Sequence, residues 1–232
     1  MNKIKDSVKR EIIVNAPLKQ VWDALTKPEH LKRWYTKQAE IDFRVGGKGY
    51  MNHGWGATSE GIFTEINPMK HFVLQSLDGD FTTITTLKEV ANGIQVSIEY
   101  QASFLSAMSQ NQRENMLFGT GQFLKNLKSV YETNTDIRPH LWKAWIGITH
   151  TTNNGGKGTR VLQVKKDSAA AVAGVKPEDI IEELDGEEMT GYESFEIAMN
   201  KKDINQNVTL TINRKNEKLT VNCVVESYPV PY

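Results

Sequence analysis

One stretch, KKDSAAAVAGVKPEDIIEELDG from Lys165 to Gly186, constrains the fold more tightly than any other part of this chain. Ala169, Ala170, Ala171 and Ala173 are small enough for a short helix to lie close against a sheet. Gly174 follows where a left-handed cap ends such a helix. Lys176-Pro177 turns the chain, Ile180, Ile181 and Leu184 carry a strand, and Asp185-Gly186 is a turn signal.

The flanking residues extend this pattern. AWIGITH and TRVLQVK read as strands before the stretch, GYESFEIAMNKK as a helix after it, and NVTLTINR and LTVNCVVE as closing strands. Upstream the pattern differs. VKREIIVNA (8–16) is a strand ending at Pro17, and PLKQVWDALTKPEHLKRWYT gives two short helices, with Pro17 and Pro28 suited to their starts. Strand-like runs split by glycine turns follow. Val96, Ile98 and Tyr100 alternate with Gln95, Ser97 and Glu99, and the short connections imply antiparallel pairing. The period then lengthens. Met116, Leu117, Phe123, Leu124, Leu127, Val130 and Tyr131 recur at helical spacing, on a helix expected from about Ser106 to Thr133. NTDIRPHLWK is polar, carries Pro139 and reads as a linker. The expected division is a first domain over 1–136, a linker over 137–142 and a second domain over 143–232.

Composition narrows the function. Lys plus Arg and Asp plus Glu each number 28, so no basic excess exists to displace counterions from a phosphate backbone, and nucleic acid is excluded as a partner class. A single cysteine, Cys223, forbids an internal disulfide and suits a reducing compartment, so a cytoplasmic location is expected. The N-terminal residues lack the apolar core of a signal peptide, and no window is long and apolar enough to span a bilayer.

The motif VLQVKKDSAAAVAGVKPEDIIEELDG, preceded by the apolar-Gly-apolar run Trp145-Ile146-Gly147-Ile148, resembles the PDZ domain of bacterial proteases of the high-temperature-requirement type over about residues 140–226. Ala169 stands where that pattern has proline, and Asp185 where it has asparagine. The resemblance implies that a partner's C-terminal carboxylate sits on backbone N–H groups of the Trp145–Ile148 loop. The peptide then adds as a strand along Thr149 and His150, facing Tyr192, Phe195, Ala198 and Met199 on a helix. Gly147 permits close backbone approach. The competing reading is that Ile146, Ile148 and Phe195 are plain core, and Phe195 reads equally well either way.

VWDALTKPEHLKRWYT, FRVGGKGYM, GIFTEINP and GTGQFLKNLKSVYE resemble the START-like (SRPBCC) superfamily over about residues 8–134, in the branch named for homologues of the activator of the heat-shock ATPase. Gln122 departs from the tryptophan frequent there. Together the resemblances imply an α+β chain: a helix-grip antiparallel sheet wrapped on a long C-terminal helix, then a small β-barrel-like PDZ domain with two helices. They imply an apolar pocket between sheet and helix, with Trp34, Tyr35, His53, Trp55, Phe63, Met116 and Phe123 as candidates. The competing reading is that these side chains are simply core.

Catalytic signals are absent. His30, His53, His71, His140 and His150 show no metal spacing, no G-x-S-x-G elbow occurs, and Cys223 alternates with Val221 and Val225 as a buried hydrophobe would. No cofactor or metal is expected. The expectation is a non-enzymatic adaptor whose PDZ domain binds apolar protein C-termini and whose first domain binds an apolar small molecule or a protein. The alternative is a START-like enzyme acting on a hydrophobic substrate, with the PDZ domain as a targeting module. The ending ESYPVPY adds one expectation: Tyr232 and Val230 suit a neighbouring molecule's groove and would give weak self-association.

Overall fold

Alternating burial along residues 93–102, with Ile94 and Val96 inward, sets the first sheet. The computed structural model describes residues 6–54 and 56–229. Those residues form two compact units, one of 6–108 with 116–139 and the other of 109–115 with 140–229.

In the first unit β1 (Asp6–Val14) leads into α1 (Leu18–Thr26) and α2 (Pro28–Trp34). Lys27, the residue before Pro28, is extended at φ −100° and ψ 131°, as a following proline demands, and separates the two helices. β2 (Gln38–Ile41), β3 (Lys48–Asn52), β4 (Thr58–Asn67), β5 (His71–Gln75), β6 (Thr82–Val90) and β7 (Gly93–Ala102) follow. The seven strands pair antiparallel in the order β1-β7-β6-β5-β4-β3-β2, with Val14 opposite Ile94. A 3-10 turn over Ser103–Ala107 precedes α3 (Gln110–Thr133). The helix therefore starts later than its apolar spacing suggests, because residues 103–107 take the tighter turn first.

The last turns of α3 place Leu124, Leu127, Val130 and Tyr131 in a core with Val21, Trp22, Leu25, Trp34, Phe63 and Phe72. Burying each such side chain contributes about 1.5–3 kcal/mol. Trp34 is buried and donates from Nε1 to the Ala24 carbonyl at 2.9 Å, which ties α2 to α1. Asn126 is also buried. Its Nδ2 donates to the Trp34 carbonyl at 2.7 Å and to Asp136 at 3.0 Å, while its Oδ1 accepts from the Ile137 N–H at 2.7 Å. Arg138 donates to the Lys32 and Arg33 carbonyls and to Asp136. Residues 136–138 of the polar segment are thus anchored to the first unit.

The second unit holds β8 (Ala144–Trp145), β9 (Ile148–Thr152), β10 (Thr159–Val164), α4 (Ala169–Val172), β11 (Ile180–Leu184), β12 (Glu187–Glu188), α5 (Tyr192–Asn200), β13 (Asn207–Arg214), β14 (Glu217–Val224) and β15 (Glu226–Ser227). Its main sheet runs β14-β13-β11-β10-β9, with β12 beside β11, and β15 pairs β8 separately. The alanine helix is as short as its sequence suggests. Ser168 caps it by accepting from the Ala171 N–H at 3.3 Å. Ala169, where the PDZ pattern has proline, donates its N–H to Glu226 at 3.1 Å, a bond that proline could not make. Asp185 adopts φ 50° and accepts from the Thr209 N–H at 2.7 Å and from Lys202 at 2.5 Å. Cys223 is buried in the core beside Val208 and Val225. Residues 230–232, which include Val230 and Tyr232, lie outside the described residues.

Candidate functional site

In the second unit, β9 is the edge strand of its sheet, and α5 lies beside it. Two glycines allow this arrangement. Gly147 has φ +86°, and a Cβ there would come within 2.2 Å of the Ser168 Cβ. Its carbonyl accepts from the Lys165 N–H at 2.8 Å, and the Ile146 carbonyl accepts from the Ala170 N–H at 2.9 Å, so α4 and its flank pin the loop. Among the described residues nothing accepts from the Gly147 N–H. Gly191, at the start of α5, leaves room for Thr152: a Cβ there would meet Thr152 Oγ1 at 2.6 Å. The Tyr192 N–H donates to that same oxygen at 3.0 Å and holds the helix start against the strand.

Between β9 and α5 lies a pocket of about 150 Å³. Of the residues singled out in the sequence, Trp145, Ile146, Ile148, Thr149, His150, Tyr192, Phe195 and Met199 line it. Gly147 does not. Its demonstrable constraint is the close contact with Ser168, not an approach to a ligand. Ile146, Phe195 and Met199 are also buried members of the core, so these side chains serve pocket wall and core at once, while Ala198 belongs to the core alone. Lys165 Nζ lies 5.0 Å from the Trp145 ring centroid and brings positive charge to the loop.

Sequence reasoning missed five residues of this pocket: Asn111, Asn115, Ala144, Glu196 and Tyr228. His150 is buried, stacks on Tyr192 with centroids 4.5 Å apart, and meets Glu196 Oε1 at 2.8 Å through Nε2 and Thr159 Oγ1 at 2.7 Å through Nδ1. Glu196 lies one turn after Tyr192, a helical spacing that could have marked it. Tyr228 follows β15, donates its N–H to the Lys143 carbonyl at 3.1 Å and packs on Trp145 at 5.6 Å. Burial raises its hydroxyl pKa. The tail therefore continues along β8 through Tyr228 instead of leaving at Glu226.

The first unit contains a cavity of about 440 Å³. Trp34, Tyr35 and Met116 of the sequence candidates line it, joined by Leu25, Met51, Phe72, Ile98 and Tyr100. Ser59, Thr83 and Thr85 add hydroxyls, and Glu60 is the one carboxylate in the lining among the described residues. The other candidates are placed differently. Phe63 packs edge-on against Phe43 at 5.0 Å and over Gly49, where a Cβ would meet its ring at 3.2 Å, so it belongs to the core. Phe123 packs edge-on against Tyr35 at 5.2 Å, and His53 lies 4.7 Å from the same ring. Both clasp Tyr35 without lining the cavity. His53 also meets Ser59 Oγ at 2.9 Å, and burial lowers its pKa, which keeps it neutral at pH 7. Trp55 lies outside the described residues. Among the described residues no group of three His, Cys, Asp or Glu side chains could hold a metal ion, and no helix is long and apolar enough to cross a membrane.

Comparison with known proteins finds two family models along the chain. The family model described as Activator of Hsp90 ATPase homolog 1-like protein matches residues 15–132, and the PDZ domain model matches residues 144–225. No curated protein matches the chain. Among solved structures, protein SSP2350 from Staphylococcus saprophyticus is similar at 14% identity and TM-score 0.52, over 57% of this chain and 96% of that one. The Aha1 dimer from Colwellia psychrerythraea is similar at 19% identity and TM-score 0.50, over 56% of this chain and 98% of that one. At these identities the likeness speaks for the fold alone.

Proposed function

The chain belongs to the Activator of Hsp90 ATPase homolog 1-like family and carries a PDZ domain behind that family's fold, and from this premise we propose that it is a two-ligand adaptor. Both domain types indicate ligand or protein binding at the family level. The second unit takes free protein C-termini with an apolar last residue, and the first takes an apolar small molecule. The observation that carries the first half is the meeting of an edge strand, the Gly147 N–H and a small pocket walled in part by Trp145, Ile146, Ile148, Phe195 and Met199 at one end of β9. About 150 Å³ is a space that elsewhere accepts a benzene ring, so one Val, Leu or Phe side chain suits it. The carboxylate would lie at the loop, near Lys165, where N–H donors meet a charged acceptor.

For the first unit, about 440 Å³ of mostly apolar lining matches the size range of small-molecule sites.

The test is an immobilised pool of hexapeptides ending in Val, Leu or Phe, offered to the full chain with free or amidated carboxyl ends. The free acids are expected to bind, with amidation costing about tenfold or more, the worth of a charged hydrogen-bond acceptor. Equal binding of acids and amides rejects the groove as a receptor for chain ends.

A further inference from the structure

A strand adding to β9 must use the row of backbone groups that point away from β10. Alternation puts Ile148, His150 and Thr152 in that row. Part of it is already occupied. Asn111 Nδ2 donates to the His150 carbonyl at 2.5 Å, Gln110 Nε2 donates to the Thr152 carbonyl at 3.2 Å, and Glu114 accepts the Thr152 N–H at 3.1 Å. These residues stand three and four apart on α3, so one helix face reads the strand edge in register. The contacts are reinforced. Glu114 also accepts from Thr151 Oγ1 at 2.7 Å, and Gln110 Oε1 accepts from Asn154 Nδ2 at 2.7 Å. A second observation concerns the side-chain space. The stacked rings of buried His150 and Tyr192 stand between β9 and α5 and form part of the pocket wall.

In an antiparallel addition the last peptide residue lies beside Ile148, the third from last beside His150 and the fifth from last beside Thr152. Resting on the reading of the groove as a receptor for free chain ends, we infer that this groove is a short one. It holds the carboxylate and about the last two residues of a partner, because Asn111 already takes the His150 carbonyl beside the third residue from the end, and Gln110 and Glu114 take both backbone groups of Thr152 beside the fifth. These three residues are specificity-determining through the length of chain they admit. A protein needs its exposed sheet edge covered against unwanted pairing, and here the cover stops short of the Gly147 loop and leaves only the chain-end position open.

The experiment compares free-acid tripeptide and hexapeptide pools, both ending in Val, on the full wild-type chain and on Q110A/N111A/E114A. Wild type is expected to bind both lengths within about twofold. The triple variant is expected to bind the hexapeptides about tenfold more tightly than the tripeptides, the worth of two or three recovered backbone hydrogen bonds. A hexapeptide advantage of about tenfold already present in wild type overturns the inference, as does a triple variant with no advantage. If neither protein binds either free-acid pool, the groove reading itself falls and takes the inference with it. Amide exchange at Thr152 checks the contact without any peptide. E114A should speed it by about tenfold relative to wild type, and an unchanged rate contradicts the cover.

Discussion

The cavity of the first unit and the groove of the second offer apolar ligands two different kinds of surface. The cavity is a volume left among side chains from α1, α2, β3, β4, β5, β6, β7 and α3, and its polar groups are a few scattered hydroxyls and the Glu60 carboxylate. The groove is a backbone feature, built on the Trp145–Ile148 loop, the edge of β9 and the face of α5, with Asn111, Asn115 and Tyr228 added from elsewhere in the chain. A site made of side-chain volumes tolerates repacking and selects by size. A site made of N–H and C=O groups selects by chain direction and by the presence of a terminal carboxylate.

The strongest way to break this contrast is to empty the shared wall of the groove. Phe195 is buried, 2% exposed, and serves both core and pocket. Phe195→Ala should cost the second unit about 3–5 kcal/mol while the Trp22 and Phe72 core of the first unit keeps its stability. Residue-resolved amide exchange in urea reads both at once. Equal loss in the two units would mean that they do not divide as described.

A smaller and more selective change acts on the loop. Gly147→Ala places a Cβ against Ser168 in a left-handed backbone, a strain of about 1–2 kcal/mol or more. Peptide affinity should fall by about tenfold, with ligand quenching of tryptophan fluorescence in the first unit unchanged. Undiminished peptide affinity would show that the loop conformation is not what the carboxylate reads.

The smallest expected effect concerns pH. Burial works to raise the Glu114 carboxyl, but hydrogen bonds from Thr152, Thr151 and Gln110 outweigh it and hold the group below its ordinary value of 4.5. A depressed carboxylate contributes fully above its unfolded value and loses that contribution as pH falls through its folded value. Protection of the Thr152 amide should therefore be constant from pH 7 down to about 5 and decline below the ordinary carboxylate range, and Glu114→Gln should abolish that decline. A decline centred near pH 6 would assign it to another group.

The elements that frame this pocket were largely legible in the sequence, for a physical reason. A left-handed glycine, a close helix of alanines and an Asp-Gly turn are local requirements, written where they act. Trp145 to His150 are contiguous, so one motif brings one wall of the pocket. What was not legible came from elsewhere in the chain. Asn111 and Glu114 sit on a helix whose apolar spacing drew attention to its other face, and Tyr228 joins through a two-residue strand too short to show alternation. In the first unit the aromatic residues were visible, but their division between wall and core was not. Phe63 and Phe123 face other rings, while Leu25, Met51 and Ile98, unremarkable in sequence, face the space. Asn126 shows the same limit, since a buried amide that satisfies three partners looks like any polar helix residue until the chain is folded.

The most direct measurement is a pair of amide chemical-shift maps on the full chain, one with the free-acid tripeptide pool ending in Val and one with a long-chain fatty acid as the apolar probe. Two separate sites require the peptides to shift Gly147, Ile148, His150 and Phe195, and the fatty acid to shift Tyr35, Thr83, Thr85 and Met116, with neither set responding to the other ligand's saturation of its own site. Peptide-induced shifts around the cavity in place of the Gly147 loop, or a fatty acid that perturbs neither region, would contradict it.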